Sequence, residues 1–260
     1  MYFNFTFLQR FQIKEGENIL SYITEQPQQC LKLKENIRNI IFQSKFQDEY
    51  DIIQQIGQGN YAKVYLATNK QNFQKFAVKC FDKQKLKQSE NGINSFMNEL
   101  KIMQNVNDHP NIVKLHEVFE GDYTYYLVME LIEGPSLQED LYNRENLYTN
   151  HQIIQIMKML ILAIQYCSKK NIMHRDLKPD NILLIKRSKT FSLKIVDFGL
   201  AAYSNQIPYI FPKCGTPGFV APEIANLNDK KKGYGVICDV FSLGAIFFIL
   251  LTGENLFQVY

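Results

Sequence analysis

The apolar pattern of this chain changes period at Gly134 and Pro135, and that change constrains the fold more than any other feature. Ahead of it, from residue 50 onward, five short runs carry β character: 50–56 (YDIIQQI), 62–68 (AKVYLAT), 75–81 (KFAVKCF), 113–119 (VKLHEVF) and 125–131 (YYLVMEL). Their close spacing predicts a mostly antiparallel sheet. Ile93, Phe96, Met97, Leu100 and Met103 interrupt the runs at helical spacing and predict one helix in this part. After the Gly-Pro pair the pattern turns helical. Residues 153–166 are apolar nearly all round, which predicts a buried helix. Residues 240–251 form the longest apolar stretch; at about twelve residues it falls short of the roughly 20 that a membrane span needs and reads as a buried core helix. The expectation is an α+β, bilobal chain: a small sheet lobe with one helix over residues 50–132, then a helical lobe over 133–260. Residues 1–49 stand apart as a Gln-, Lys- and Asn-rich extension, where Leu33, Ile37, Ile40 and Ile41 predict an amphipathic helix that packs on the small lobe.

Composition narrows the function classes. With 46% hydrophobic residues and a formal charge of +3, the chain is neither disordered nor fibrous, and no basic stripe suits nucleic acid. Cys30, Cys80, Cys167, Cys214 and Cys238 are scattered and form no C-x-x-C pair, which argues against a disulfide framework and a zinc site. The start, MYFNFTFLQRF, is broken by Asn4, Thr6, Gln9 and Arg10 too early for a signal peptide. A reducing, cytoplasmic setting without a transmembrane segment is expected.

Three segments carry chemistry. Residues 56–64 read I-G-Q-G-N-Y-A-K-V between two β runs; Gly57 and Gly59 suit a loop whose N–H groups face phosphate, although the run also suits a plain hairpin turn. Residues 76–79 read F-A-V-K, where alternation sets Ala77 and Lys79 on one face; a lone strand lysine is usually a solvated one. Glu99 lies in the predicted helix beside its apolar stripe, and a pair with Lys79 would hold the ammonium toward phosphates. Residues 174–181 read H-R-D-L-K-P-D-N, and D-F-G begins at Asp197. Two acids, an amide and a lysine at this spacing suit phosphoryl transfer: Asp197 and Asn181 as magnesium ligands, Asp176 accepting a hydroxyl proton, Lys178 neutralising the transferring group.

With these segments in order, the chain from about residue 50 to 260 resembles the eukaryotic protein kinase family. C-G-T-P-G-F-V-A-P-E over 214–223 is similar to the family's substrate-side loop, and D-V-F-S-L-G over 239–244 to the helix whose aspartate braces the catalytic loop. Lys178, Gly215 and Thr216 look like the Ser/Thr branch. The wording H-P-N-I-V-K-L over 109–115, with that of 213–223, is similar to calcium/calmodulin-dependent and calcium-dependent kinases. The resemblance implies ATP and Mg2+ as cofactors and protein substrates with Ser or Thr acceptors. Calcium-sensor regulation is implied only from outside the visible chain. It assigns ATP to Ile56, Gly57, Gln58, Gly59, Asn60, Tyr61, Ala62, Lys63 and Val64 in the loop. Val64 and Ala77 lie above the adenine and Leu183 below it; Lys79 takes the phosphates, Met129 is the gatekeeper, and Glu130 and Leu131 form the hinge. Asp176, Lys178, Lys79 and Glu99 are the implied catalytic set, Asn181 and Asp197 the metal ligands. Met103, Leu115, His174 and Phe198 match the family's regulatory stack.

Departures from the family pattern shape further expectations. The sequence stops soon after the central helix, so the helical lobe is expected to be incomplete, and a catalytically silent ATP-binding or scaffold module is the alternative reading. Pro212 stands where many relatives carry an activating threonine, so Arg175 must find another anion or leave the loop held by packing; Ser204 and Tyr209 are the other modifiable positions. Ser136 and Asp180 occupy the positions that read a basic residue in basophilic relatives, with Glu133 or Glu139 as compensating acids.

Overall fold

The computed structural model describes residues 2–7, 10–15, 18–23, 27–59, 62–187, 190–229 and 231–257. It divides into two compact units, Met1–Ile93 with Lys114–Leu131 and Asn94–Val113 with Ile132–Tyr260.

The first unit holds β1 (Tyr2–Phe7), β2 (Arg10–Glu15), β3 (Asn18–Ile23), α1 (Pro27–Ile37), β4 (Phe42–Gln43), α2 (Phe46–Glu49), β5 (Tyr50–Gln58), β6 (Ala62–Asn69), β7 (Lys75–Asp82) and α3 (Lys83–Gln88). After α4 (Gly92–Val106), which from Asn94 groups with the second unit, β8 (Leu115–Glu120) and β9 (Thr124–Glu130) complete the sheet. Its order is β3-β2-β1-β4-β8-β9-β7-β6-β5. The five expected strands are present and pair antiparallel. The sheet is larger than expected, because β1–β3 form a meander joined through the two-residue β4, which runs parallel to both β1 and β8.

The extension's helix is shorter than its apolar stripe implied. α1 ends at Ile37, and Ile40 and Ile41 both donate N–H to the Ile37 carbonyl in the turn that follows. The extension is anchored instead by Phe46. Its ring stacks on Tyr126 at 4.1 Å and on Tyr50 at 5.3 Å, and meets Phe119 edge-on at 5.5 Å. With Phe76, Val78, Ala67 and Val128 these rings form the core on one face of the sheet. Period-two alternation in β7 thereby commits Phe76 and Val78 to this core and leaves Ala77 and Lys79 on the opposite face.

The second unit holds most of α4, then α5 (Leu137–Asn143), α6 (Asn150–Lys169), β10 (Ile172–Met173), a 3₁₀ turn over Pro179–Asn181, β11 (Ile182–Arg187), β12 (Thr190–Ile195), β13 (Ala202–Tyr203), α7 (Pro222–Ala225) and α8 (Cys238–Thr252). Ser136 and Thr149 start α5 and α6 with reciprocal capping boxes to Glu139 and Gln152. α6 buries Ile153, Ile156, Leu160, Ala163, Ile164 and Cys167. Ile154, Ile161 and Leu162 on its other face are exposed, so the all-round burial expected for this helix is corrected to one buried stripe. α8 is likewise buried along Leu243, Ala245, Ile246, Ile249 and Leu250 but open at Val240, Phe247 and Leu251, so the expected core helix is buried only in part. α6 packs on α8 and also on β10 and β12.

Candidate active site

The catalytic-loop candidates are set by two anchors in the second unit. The first is Asp239, 1% exposed at the start of α8, whose two carboxylate oxygens accept the backbone N–H groups of His174 at 2.7 Å and Arg175 at 2.8 Å. Burial raises the Asp239 pKa, while His174, the two N–H groups and Arg175 pull it back. The second is His174, fully buried, whose Nδ1 accepts from the Asp176 N–H at 3.3 Å. That bond sets Nε2 as the protonated nitrogen, and it donates to the Val196 carbonyl at 3.1 Å. The His174 ring meets Phe198 edge-on at 4.8 Å. Residues 174–176 and 196–198 are thus tied by one imidazole.

Asp176 is held from three sides. Thr216 Oγ1 donates to Oδ1 at 2.6 Å, Asn181 Nδ2 donates to Oδ2 at 3.1 Å and to the Asp176 carbonyl at 2.8 Å, and Lys178 Nζ lies 3.6 Å from Oδ2. Lys178 Nζ also donates to Thr216 Oγ1 at 2.9 Å, which closes a ring of Asp176, Thr216 and Lys178. Gly215 makes the approach possible: its φ is +112, and a Cβ there would sit 2.9 Å from the Arg175 carbonyl. Thr216 was absent from the catalytic set expected from sequence. Its fixed place seven residues before the A-P-E glutamate, Glu223, was the available signal.

Asn181 and Asp197 supply the oxygens expected for a metal. The Asn181 amide nitrogen is committed to Asp176, which leaves its carbonyl oxygen as the acceptor, and the Val196 N–H donates to the Asn181 backbone carbonyl at 2.9 Å. Asp197 adopts φ 61 and its Oδ1 accepts from the Gly199 N–H at 3.3 Å. One carboxylate and one amide carbonyl are hard donors of the kind magnesium takes alongside phosphate oxygens and water. Leu183 is the second residue of β11, and its strand lies so close to the linker that a Cβ on Gly134 would overlap the Leu184 carbonyl at 1.6 Å. Glu99 is 3% exposed on α4, and that helix is tied to the segment after D-F-G through Asn98 Nδ2 to the Ala201 carbonyl at 2.8 Å.

The remaining candidates lie in the first unit. Gly57 pairs with Val64 and Gln58 with Lys63 across the β5–β6 hairpin, and the Gly59 N–H closes it on the Ala62 carbonyl at 2.8 Å. Asn60 and Tyr61 fall outside the described residues. A Cβ on Gly57 would lie 3.4 Å from Val64 Cβ, in ordinary contact. Ile56 is exposed, and Ala62, where a third glycine often stands, is buried. Lys79 lies between Val64 and Leu127 in register, and Ala77 between Leu66 and Met129. Glu130 donates its N–H to the Lys114 carbonyl at 3.0 Å and accepts the Lys114 N–H on Oε1 at 2.7 Å, fixing the strand end before Leu131.

Two expectations about regulation and specificity meet the structure in the second unit. Arg175 donates to the Leu200 and Phe211 carbonyls and the Tyr234 hydroxyl, all neutral groups. Tyr209 is 5% exposed and hydrogen-bonded, which removes it as an accessible modification site in this form. Glu139 accepts the Ser136 N–H at 2.9 Å in the capping box, so one of its oxygens serves the helix, whereas Glu133 and Asp180 are exposed.

The sequence model of the protein kinase domain matches residues 50–259. The chain belongs to the protein kinase family. Among similar members are a probable serine/threonine-protein kinase, fhkC, of Dictyostelium discoideum (36% identity over 92% of this chain and 38% of the relative) and calcium-dependent protein kinase 7 of Arabidopsis thaliana (36%, 79% and 37%). Calcium-dependent protein kinase 5 of Plasmodium berghei matches at 38% identity over 76% of this chain and 33% of its own length. Within the family the chain is most like Ser/Thr kinases of the calcium-dependent group, and its mixed α+β fold is the kinase one. The chain spans about a third to two fifths of the length of these relatives.

Proposed function

We propose that this chain transfers the γ-phosphate of ATP to Ser or Thr hydroxyls of protein substrates. The observation that carries the reading is the ring of Asp176, Thr216 and Lys178, with Asn181 bonded to the same carboxylate. In it, Asp176 orients the acceptor hydroxyl and receives its proton, and Lys178 places positive charge beside the transferring phosphoryl group. Thr216 holds both against the segment that presents the substrate. The β5–β6 hairpin and Lys79 take the phosphates, Ala77, Val64 and Leu183 the adenine faces, Met129 to Leu131 the adenine edge, and Glu99 orients Lys79. Magnesium held by Asn181 and Asp197 would neutralise phosphate charge. The exposed acids Glu133 and Asp180 favour basic residues near the acceptor.

No described helix is long and apolar enough to cross a membrane, and a cytoplasmic setting is part of the proposal. Calcium control, which the names of two relatives state for those proteins, is proposed here as acting from another segment or chain. Among the described residues no group of three or more His, Cys, Asp or Glu could hold a metal ion.

Purified chain with radiolabelled ATP, magnesium and a basic acceptor protein tests the reading, with Asp176→Ala in parallel. Incorporation that the substitution lowers at least 100-fold is expected. ATP binding without incorporation would replace the reading by that of a silent binding module.

A further inference from the structure

Arg175 is 3% exposed and makes no ion pair among the described residues. With no carboxylate in contact, and the Asp239 charge acting only at longer range, a buried guanidinium is costly unless oriented dipoles take its donors. Nε donates to the Leu200 carbonyl at 2.7 Å, and Nη1 to the Phe211 carbonyl and the Tyr234 hydroxyl, both at 2.8 Å. The guanidinium also lies over the Tyr209 ring at 5.2 Å and near that of Tyr234 at 6.0 Å. The two tyrosines lock to each other: Tyr234 N–H donates to Tyr209 Oη at 3.3 Å, Tyr209 Oη donates back to the Tyr234 carbonyl at 2.7 Å, and the rings are 4.8 Å apart. Tyr234 Oη then donates to the Pro212 carbonyl at 3.0 Å.

One guanidinium therefore grips residue 200, just past D-F-G, and residue 211, while the Tyr234 hydroxyl it bonds holds residue 212, just before Gly215 and Thr216. We propose that Tyr234, with Tyr209, is a positioning residue for phosphoryl transfer: it fastens Arg175 to the 200–216 segment and so delivers Thr216 to Asp176 with no phosphorylated side chain in that segment. The inference rests on the phosphotransfer reading above. Burial raises the pKa of Tyr234 although Arg175 pulls it down, so the clasp is a neutral one. The competing idea is that Arg175 awaits an anion. A cavity of about 400 Å³, lined by Arg175, Ser95 and Asn98 among others, would admit one.

The test uses the full chain, treated with phosphatase, beside Tyr234→Phe and Tyr209→Phe, each of which keeps the ring and removes one hydroxyl. Phosphatase-treated wild type is expected to retain its rate and to ignore added inorganic phosphate. Tyr234→Phe is expected to lose about tenfold in kcat with the KM for ATP unchanged, the size of one hydrogen bond to a charged group, and Tyr209→Phe, whose hydroxyl serves the Ser204 and Tyr234 carbonyls, roughly threefold; both are expected to exchange the amides of residues 211–220 at least tenfold faster. Wild-type kcat in both variants, or a treated wild type that needs phosphorylation or inorganic phosphate to work, would overturn the inference. If the wild type transfers no phosphate at all, the function reading fails separately; exchange over 211–220 still decides whether the clasp exists, and unchanged exchange would sink it.

Discussion

The Thr216 hydroxyl donates to Asp176 and accepts from Lys178, so it ties the candidate proton acceptor to the candidate phosphate-neutralising cation. Thr216→Val keeps the shape and removes both bonds. Hydrogen bonds to charged groups contribute about 1.5 to 3 kcal/mol, so kcat should fall roughly 10- to 100-fold while the KM for ATP stays near wild type, read by steady-state kinetics. His116 makes a different residue-level case. Its ring stacks on Phe76 at 4.7 Å, and burial, aided by Arg38 and Lys114, lowers its pKa from 6.5 to about 4. The folded chain keeps the ring neutral where the unfolded chain would protonate it. The stability this group supplies is therefore present above about pH 6.5 and lost as the pH falls toward 4. Neighbouring Glu117, whose pKa burial raises, acts in the opposite sense. His116→Phe keeps the stacking and removes the titration, so the urea midpoint of the variant should drop less than that of wild type between pH 7 and pH 5.

At the scale of elements, the short helix α2 matters more than its four residues suggest, because it inserts Phe46 among three aromatic rings. Phe46→Ala should cost about 3 to 5 kcal/mol, most of it from lost contact and an unfilled cavity. By calorimetry that is a fall of roughly 10 °C in Tm for a chain of this size. The strands from Tyr50 onward were legible because alternation is a strong local signal, and α4 because its apolar stripe keeps helical period. β1 to β3 were not read: F-N-F-T-F over 3–7 and R-F-Q-I-K over 10–14 do alternate, but each run is short, and a strand meander declares itself by pairing with partners that sequence alone does not name. The full burial expected for α6 failed for a related reason: composition reports how apolar a helix is, while exposure depends on how many neighbours it acquires.

For the molecule as a whole, the extension and the sheet belong to one compact unit. Lys34 pairs with Glu49 at 2.6 Å, Arg38 reaches the buried Glu117 at 3.5 Å, and Tyr50 donates to that same carboxylate at 2.7 Å. Removing residues 1–49 should lower the unfolding temperature by more than Phe46→Ala does, because Glu117 is also left without Arg38; a thermal melt of the two proteins side by side checks this. The motif residues of the candidate site could be named from sequence because each sits in a short, ordered signature. Thr216 as a working partner and the tyrosine clasp on Arg175 could not, since they depend on contacts between residues 38 to 59 positions apart in the chain. Phe46 has one more implication. The protein kinase domain match starts at residue 50, yet the aromatic plate under its sheet is laid at residue 46. The boundary of the matched domain and the boundary of the packed core are thus not coextensive here. A descendant that exchanged its leading segment for another would inherit a bare aromatic face, and selection would act on whatever arrived to cover it.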